Sequence, residues 1–240
     1  MRILILLGLL MGALGGFSQK EVPVSMVPLG VVKCADFEPD GQGNNIQWQK
    51  TSWNSLTRLD SGEADYTSQF KILYSAAGIY LLFSGIDNHI SSDFDQDFQD
   101  LFKGDVFEAF FHPDTSIPLY LEYEISPLNK ELVLMVPHIN GKNYGWLPFH
   151  YSGDRRVKKM VHVQGGKSAP GATISSWTAE LFIPFALFFP LNKVPPAPGS
   201  IWNANFYRLD YDSGQMIKWA WSPVVQSFHE FEKFRQIRFQ

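Results

Sequence analysis

The stretch Ile201-Trp-Asn-Ala-Asn-Phe-Tyr-Arg-Leu-Asp210 alternates its side-chain character at a period of two, which suits a half-buried strand and not a helix. The same signal recurs along nearly the whole chain. Strands are expected at 67–75, 79–86, 105–111, 120–125, 131–139, 157–163, 177–183, 202–209, 217–221 and 235–239. Gly and Pro punctuate them at short intervals, as in Pro113, Pro118, Pro127, Gly165-Gly166, Pro170-Gly171 and Pro195-Pro196. Ala76-Ala-Gly78 sits between two of the runs as a hairpin turn. Many short strands at this spacing predict an all-β, antiparallel β-sandwich of jelly-roll-like form. Only 97–102 and 185–189 read as short helices.

The chain opens with Met1-Arg2, a nearly continuous apolar run over 3–14, and the small residues Gly16 and Ser18 flanking Phe17. This is the layout of a cleaved secretory signal peptide over 1–18, with a retained membrane anchor as the alternative. The apolar run is short of the roughly 20 residues a span requires. A secreted or periplasmic protein is expected, with residues 19–240 forming one domain. All-β sandwiches of about 220 residues occur as single units, and no fixed-period repeat or biased linker divides this one.

The net charge is −4, and loss of Arg2 with the leader makes it −5. A mildly acidic chain whose only basic knot is Arg155-Arg156 and Lys158-Lys159 lacks the footprint that nucleic acid or an anionic membrane requires. Cys34 is alone, so no intrachain disulfide forms. It reads as a small core residue.

Standard catalytic motifs are missing. There is no G-x-S-x-G elbow, no phosphate loop and no H-E-x-x-H, and Gly41-Gln-Gly43 lacks the third glycine of a dinucleotide fingerprint. The six histidines are scattered. Among the carboxylates, Asp105 and Glu108 lie three apart in a strand and face opposite ways. Glu122 and Glu124 lie two apart and share a face with Tyr120, about 7 Å from each other along the strand. That pair suits an acid and a base, a cation site, an acceptor face for hydroxyls, or a solvated surface. The acidic stretch 87–105 imitates the start of a calcium loop at Asp93-Phe-Asp-Gln-Asp97, but Phe98 and Gly104 stand where an EF-hand needs Gly and Glu. A looser calcium site remains open there.

Seven Trp and 15% aromatic residues exceed what ligand platforms alone would use, so most of these rings belong to a core. Trp219 and Trp221 share one strand face. Trp146, in the glycine-rich loop 140–146, reads as exposed and functional.

The order of motifs resembles the family 9 carbohydrate-binding modules. The likeness runs through Tyr66-Thr-Ser-Gln-Phe-Lys-Ile-Leu-Tyr74, Gly104-Asp-Val-Phe-Glu-Ala-Phe-Phe-His-Pro-Asp114 and Tyr120-Leu-Glu-Tyr-Glu-Ile-Ser-Pro127. It continues in Trp177-Thr-Ala-Glu-Leu-Phe-Ile-Pro184, Gly199 to Arg208 and Trp221-Ser-Pro223, and closes on Phe228-His229. The resemblance implies a sandwich that grips one or two sugar units between aromatic walls, with calcium in a structural role at Asp87 and Asp105. It puts the first wall on Phe102, the second on Trp219 or Trp221, the acidic contact on Glu108, and further polar contacts on Asn205 and Arg208. Phe102 stands where the family carries Trp, and Glu122 and Glu124 occupy a strand where better-known modules carry an arginine.

The expectation is a secreted, non-catalytic carbohydrate-binding protein working beside separate glycan-degrading enzymes. The alternatives are a glycan-active enzyme using Glu108, Glu122 or Glu124, a haem-binding sandwich with Met216 and His229 as axial ligands, and a protein-binding sandwich.

Overall fold

The computed structural model describes residues 27–60, 62, 66–140 and 142–240. The expected leader over 1–18 lies outside the described residues. In chain order the strands are β1 (Leu29–Lys33), β2 (Asn54–Ser55), β3 (Thr57–Arg58), β4 (Ser68–Tyr74), β5 (Gly78–Ile86), β6 (Val106–His112), β7 (Leu119–Ile125), β8 (Glu131–Ile139), β9 (Lys142–Asn143), β10 (Leu147–Pro148), β11 (Lys158–Gln164), β12 (Ser176–Pro184), β13 (Ile201–Asp210), β14 (Ile217–Ala220) and β15 (Arg235–Phe239). The two expected helices are 3-10 turns, at Leu101–Lys103 and Phe185–Phe188.

The strands form a two-layered sandwich. The first layer runs β10-β8-β7-β6-β13-β15-β1 and the second β1-β4-β5-β12-β11. The strand β1 belongs to both. Its first half pairs with β15 at Leu29↔Ile237 and its second half with β4 at Val32↔Leu73, each in parallel. This departs from the antiparallel expectation because no hairpin turn fixes the direction of β1.

Strict alternation builds the interior. From β6 come Phe107, Ala109 and Phe111, from β7 Leu121, Tyr123 and Ile125, and from β13 Trp202, Ala204 and Phe206, all facing the second layer. Aromatic rings meet across the gap, with Phe83 stacked on Phe107 at 4.9 Å and Phe70 on Phe206 at 4.0 Å. Each buried aromatic removes about 150–250 Å² from water.

The first layer is buried on its outward face too. There Val106, Phe110, Tyr120, Leu132, Leu134 and Tyr207 pack against Leu101, Val224, Phe228 and Phe234. The segments around 94–102 and 221–234 therefore lie over this sheet as a covering layer, and the space they leave open holds the candidate site.

Candidate functional site

A cavity of about 230 Å³ opens on the outward face of the first layer. Glu108 and Phe110 of β6, Glu122 of β7, Leu134 of β8 and Leu209 of β13 reach into it. These are the residues that strand alternation turns away from the sandwich core. Phe102, Trp146, Phe228 and His229 form its rim, with Met216, Lys218, Gln226 and Ser227. The Trp146 ring lies 5.9 Å from Phe102 at an interplanar angle of 76°, and 6.2 Å from His229 at 14°. Trp146 is 45% exposed, so its ring is free to meet a ligand.

The floor is unusually acidic for a buried surface. Glu108 and Glu124 are direct cross-strand neighbours, and Glu122 lies one step along the same face. Glu108 is 2% exposed, Glu122 4% and Glu124 fully buried. One oxygen of Glu122 and both of Glu124 have no hydrogen-bond partner. Burial pushes the Glu122 carboxyl up to about 8. It raises Glu108 and Glu124 well above the ordinary carboxylate range, with repulsion among the three adding to the effect. His229 is driven the other way, down to about 4 by burial, and its Nδ1 pairs with the Tyr120 hydroxyl at 2.7 Å.

The sign of the resulting pH dependence is fixed. An acid whose folded pKa lies above its unfolded value holds its proton more readily when folded, so its contribution to stability is lost as pH rises through the folded value. The window runs from the ordinary glutamate value of 4.5 to about 8 for Glu122. The thermal midpoint, measured with chelator present, is expected to fall between pH 5.5 and pH 8. A midpoint that rises across that range would mean the three glutamates are not buried as described.

A second acidic cluster lies between the sheets. Asp87, Asp105 and Asp212 each bring a carboxylate oxygen within 4.8 Å of the others. Asp87 also pairs with Arg208 at 3.0 Å, and Asp210 pairs with Arg208 at 2.6 Å. Asp87 and Asp210 thus share one guanidinium, and Asp105 and Asp212 lie beside Asp87 without pairing with it. Burial, opposed in part by Arg208 and reinforced by the neighbouring aspartates, raises Asp87; burial likewise takes Asp105 to about 7. Several hard oxygen donors with surplus negative charge make the donor set that calcium uses, so the residues fit such an ion. Asp212 was not among the sequence candidates. The spacing Asp210-x-Asp212 in the turn after β13 is the local signal that could have found it.

The structure separates the sequence candidates into two groups. Phe102, Glu108, Glu122 and Trp146 border the cavity, with Glu124 beside Glu108 at its base. Trp219, Trp221, Asn205 and Arg208 do not border it. Trp219 is 1% exposed and Trp221 6%, both within the core between the layers. Their strand face is the inward one, which corrects their assignment as a second wall. Trp146 instead lies edge-to-face against Phe102 at the cavity. Asn205 is consumed by the Tyr207 hydroxyl, the Ser222 backbone and the Phe206 N–H. Arg208 lies three residues on, hence on the other face, and is spent on Asp87, Asp210, Ser68 and the Ile86 carbonyl.

Other sequence features also find their places. Gly41-Gln-Gly43 wraps the chain's own Glu180, which accepts hydrogen bonds from the N–H groups of Asp40, Gly41 and Gly43 and from the Trp48 indole. In the basic knot, Lys158 pairs with Glu38 and Lys159 with Asp97 and Glu131. Burial lifts the Cys34 thiol to about 11, which leaves it protonated and inert at neutral pH. Met216 and His229 both border the cavity, but its volume falls below the about 300 Å³ at the small end of sites for drug-sized ligands, too little for a haem.

The same architecture occurs in solved structures. A candidate carbohydrate-binding protein from Bacteroides uniformis superimposes with a TM-score of 0.72 at 17% identity, covering 89% of this chain and 99% of that one. A family 9 carbohydrate-binding module from Caldicellulosiruptor kristjanssonii, in complex with glucose, superimposes at 0.61 and 15% identity, covering 89% and 96%. The fold is that of the family 9 carbohydrate-binding modules. The cellotriose complex from Caldicellulosiruptor kristjanssonii gives 0.60 and 15%, covering 89% and 94%. No sequence-family model and no curated protein matches the chain. Among the described residues no helix of this family 9 fold is long and apolar enough to cross a membrane.

Proposed function

We propose that this protein is a secreted or periplasmic, non-catalytic carbohydrate-binding protein that holds a single sugar unit in the cavity beneath Trp146 and Phe102. One observation carries the reading: exposed aromatic surface and buried carboxylates converge on one cavity of about 230 Å³. Sugar C–H groups pack against an aromatic face, while carboxylates accept stronger hydrogen bonds from hydroxyls than neutral groups do. In this reading Phe102 and Trp146 supply the walls and Glu108 and Glu122 the acceptors. Lys218 donates to ring or hydroxyl oxygens from the rim. The solved modules of the same fold, in complex with glucose and cellotriose, support the choice of ligand class.

Calcium belongs to the proposal as a structural ion. Asp87, Asp105 and Asp212 would hold it, and it would supply the positive charge that Arg208 alone leaves short. Partner enzymes that degrade the bound glycan fit a protein of this kind.

Titration with soluble oligosaccharides, followed by tryptophan fluorescence, tests the reading. Binding that changes the emission of the native protein, and none of that change in a Trp146→Phe variant that still binds, is the expected result. Absence of binding to every neutral and charged oligosaccharide tried would overturn it. The raised Glu122 carboxyl would also suit a general acid, and release of reducing sugar that is abolished in Glu122→Gln would replace the binding reading with a hydrolytic one.

A further inference from the structure

The acidic floor asks for a particular kind of sugar. Three glutamates are nine-tenths or more buried on one sheet face. Among the described residues, no Lys or Arg nitrogen lies within 4.0 Å of any of their carboxylates. Among the described residues the one basic side-chain nitrogen in range is His229 Nδ1, 3.7 Å from Glu122 Oε2, and burial drives its imidazole toward the neutral form. Lys218 borders the cavity with its ammonium over the Phe228 ring at 5.9 Å; its charge acts on Glu108 and partly opposes the rise there, but it forms no ion pair within 4.0 Å. Glu122 Oε2 is unpartnered on a residue that lines the cavity. A buried carboxylate oxygen left in this state costs free energy until a donor reaches it.

A hydroxyl group satisfies the hydrogen bond without offsetting the charge. An acidic sugar brings a negative group against carboxyls that burial and mutual repulsion already keep from ionising, and relieves neither. A divalent metal ion would need the three carboxylates to converge, and among the described residues only Asp87, Asp105 and Asp212 bring three such oxygens within 4.8 Å. An organic ammonium meets every condition. It donates three N–H bonds, carries one positive charge, and is attracted to the faces of rings such as Phe102 and Trp146.

We propose that the cavity selects amino sugars carrying a free, protonated amine, with the ammonium placed against Glu122 and Glu108. This rests on the sugar-binding reading above and narrows it to one chemical class. Glu122 is the specificity-determining contact, with Glu124 behind it as the cross-strand neighbour of Glu108. Binding of the ammonium draws the floor into its ionised form, so a proton held by the glutamates leaves as the ligand enters.

The experiment is a calorimetric titration of the full chain at pH 7 with three disaccharides that differ at C2 alone: β-1,4-linked glucosamine dimer, its N-acetylated counterpart, and cellobiose. The amine is expected to bind at least about tenfold tighter than either neutral sugar, the gain appropriate to a charge-assisted bond in a buried site. In Glu122→Gln the ratio between amine and acetamide should shrink to within about threefold. The preference should also weaken at high salt. Equal or tighter binding of the acetamide or of cellobiose to the unmodified protein overturns the amine inference and leaves the carbohydrate-binding reading standing. Silence toward all three overturns the inference and counts against that reading as well.

Discussion

Replacing Trp146 by Ala is expected to weaken sugar binding by at least about thirtyfold, the loss that follows removal of a central aromatic contact worth about 2 kcal/mol or more. Stability should hardly change. The ring is 45% exposed and lies on the loop between β9 and β10, so its removal opens no cavity in the core, and exposed substitutions ordinarily stay within about 0.5 kcal/mol. Trp219→Ala should behave in the opposite way. That ring is 1% exposed between the layers, and its loss should cost about 3–5 kcal/mol of stability while leaving the cavity rim in place. Calorimetric titration beside chemical denaturation reads both quantities. A Trp219→Ala protein that folds normally but loses sugar would return the binding wall to Trp219.

Arg208→Met is expected to destabilise the protein by about 3–5 kcal/mol, measured by denaturant unfolding, because it leaves buried acids without their cation. Arg208 is fully buried and answers Asp87 and Asp210, the Ser68 hydroxyl and the Ile86 carbonyl together. Its guanidinium also lies 5.1 Å from the centre of the Trp219 ring. The neighbouring sheet makes room for it at Gly85, where an added Cβ would stand 2.5 Å from Arg208 Nη1. Domains are commonly stable by only about 5–15 kcal/mol, so this one change takes a large share. Adding Asp210→Asn to Arg208→Met should recover part of the loss, since one uncompensated charge disappears with it. A loss under about 1 kcal/mol in Arg208→Met would show that the aspartates do not depend on the guanidinium.

Most strands could be read from the sequence because two local signals agree there. Period-two alternation sets the face, and Gly or Pro sets the end, so the expected run 235–239 and the observed β15 coincide, and 202–209 differs from β13 by one residue at each end. The strand β1 escaped because its partners, β15 and β4, lie far along the chain. Its sequence, Leu29-Gly-Val-Val-Lys33, has no clean alternation. The candidate site was legible in part for the same reasons. Phe102 and Glu108 came from the resemblance to the family 9 modules, Trp146 from its place in a glycine-rich loop, and Glu122 from sharing a face with Glu124.

The errors came from residues whose type suits two environments. A core tryptophan and a sugar-stacking tryptophan have the same local sequence, and only the packing of the second layer against Trp219 and Trp221 decides between them. Asn205 and Arg208 carried a local warning, since positions three apart on a strand face opposite ways. Convergence at a distance explains the rest. Lys218 and His229 reach the cavity from β14 and from the segment before β15, and Asp212 reaches Asp87 and Asp105 across more than a hundred residues of chain.

A glycan-array screen of the protein beside its Trp146→Ala variant, run with calcium and with chelator, tests the central claim most directly. The account predicts binding to a defined set of sugars by the unmodified protein, enriched in free amines and lost in the variant. Equal binding by the two proteins would contradict it, because the sugar would then be held somewhere other than the cavity that Trp146 closes.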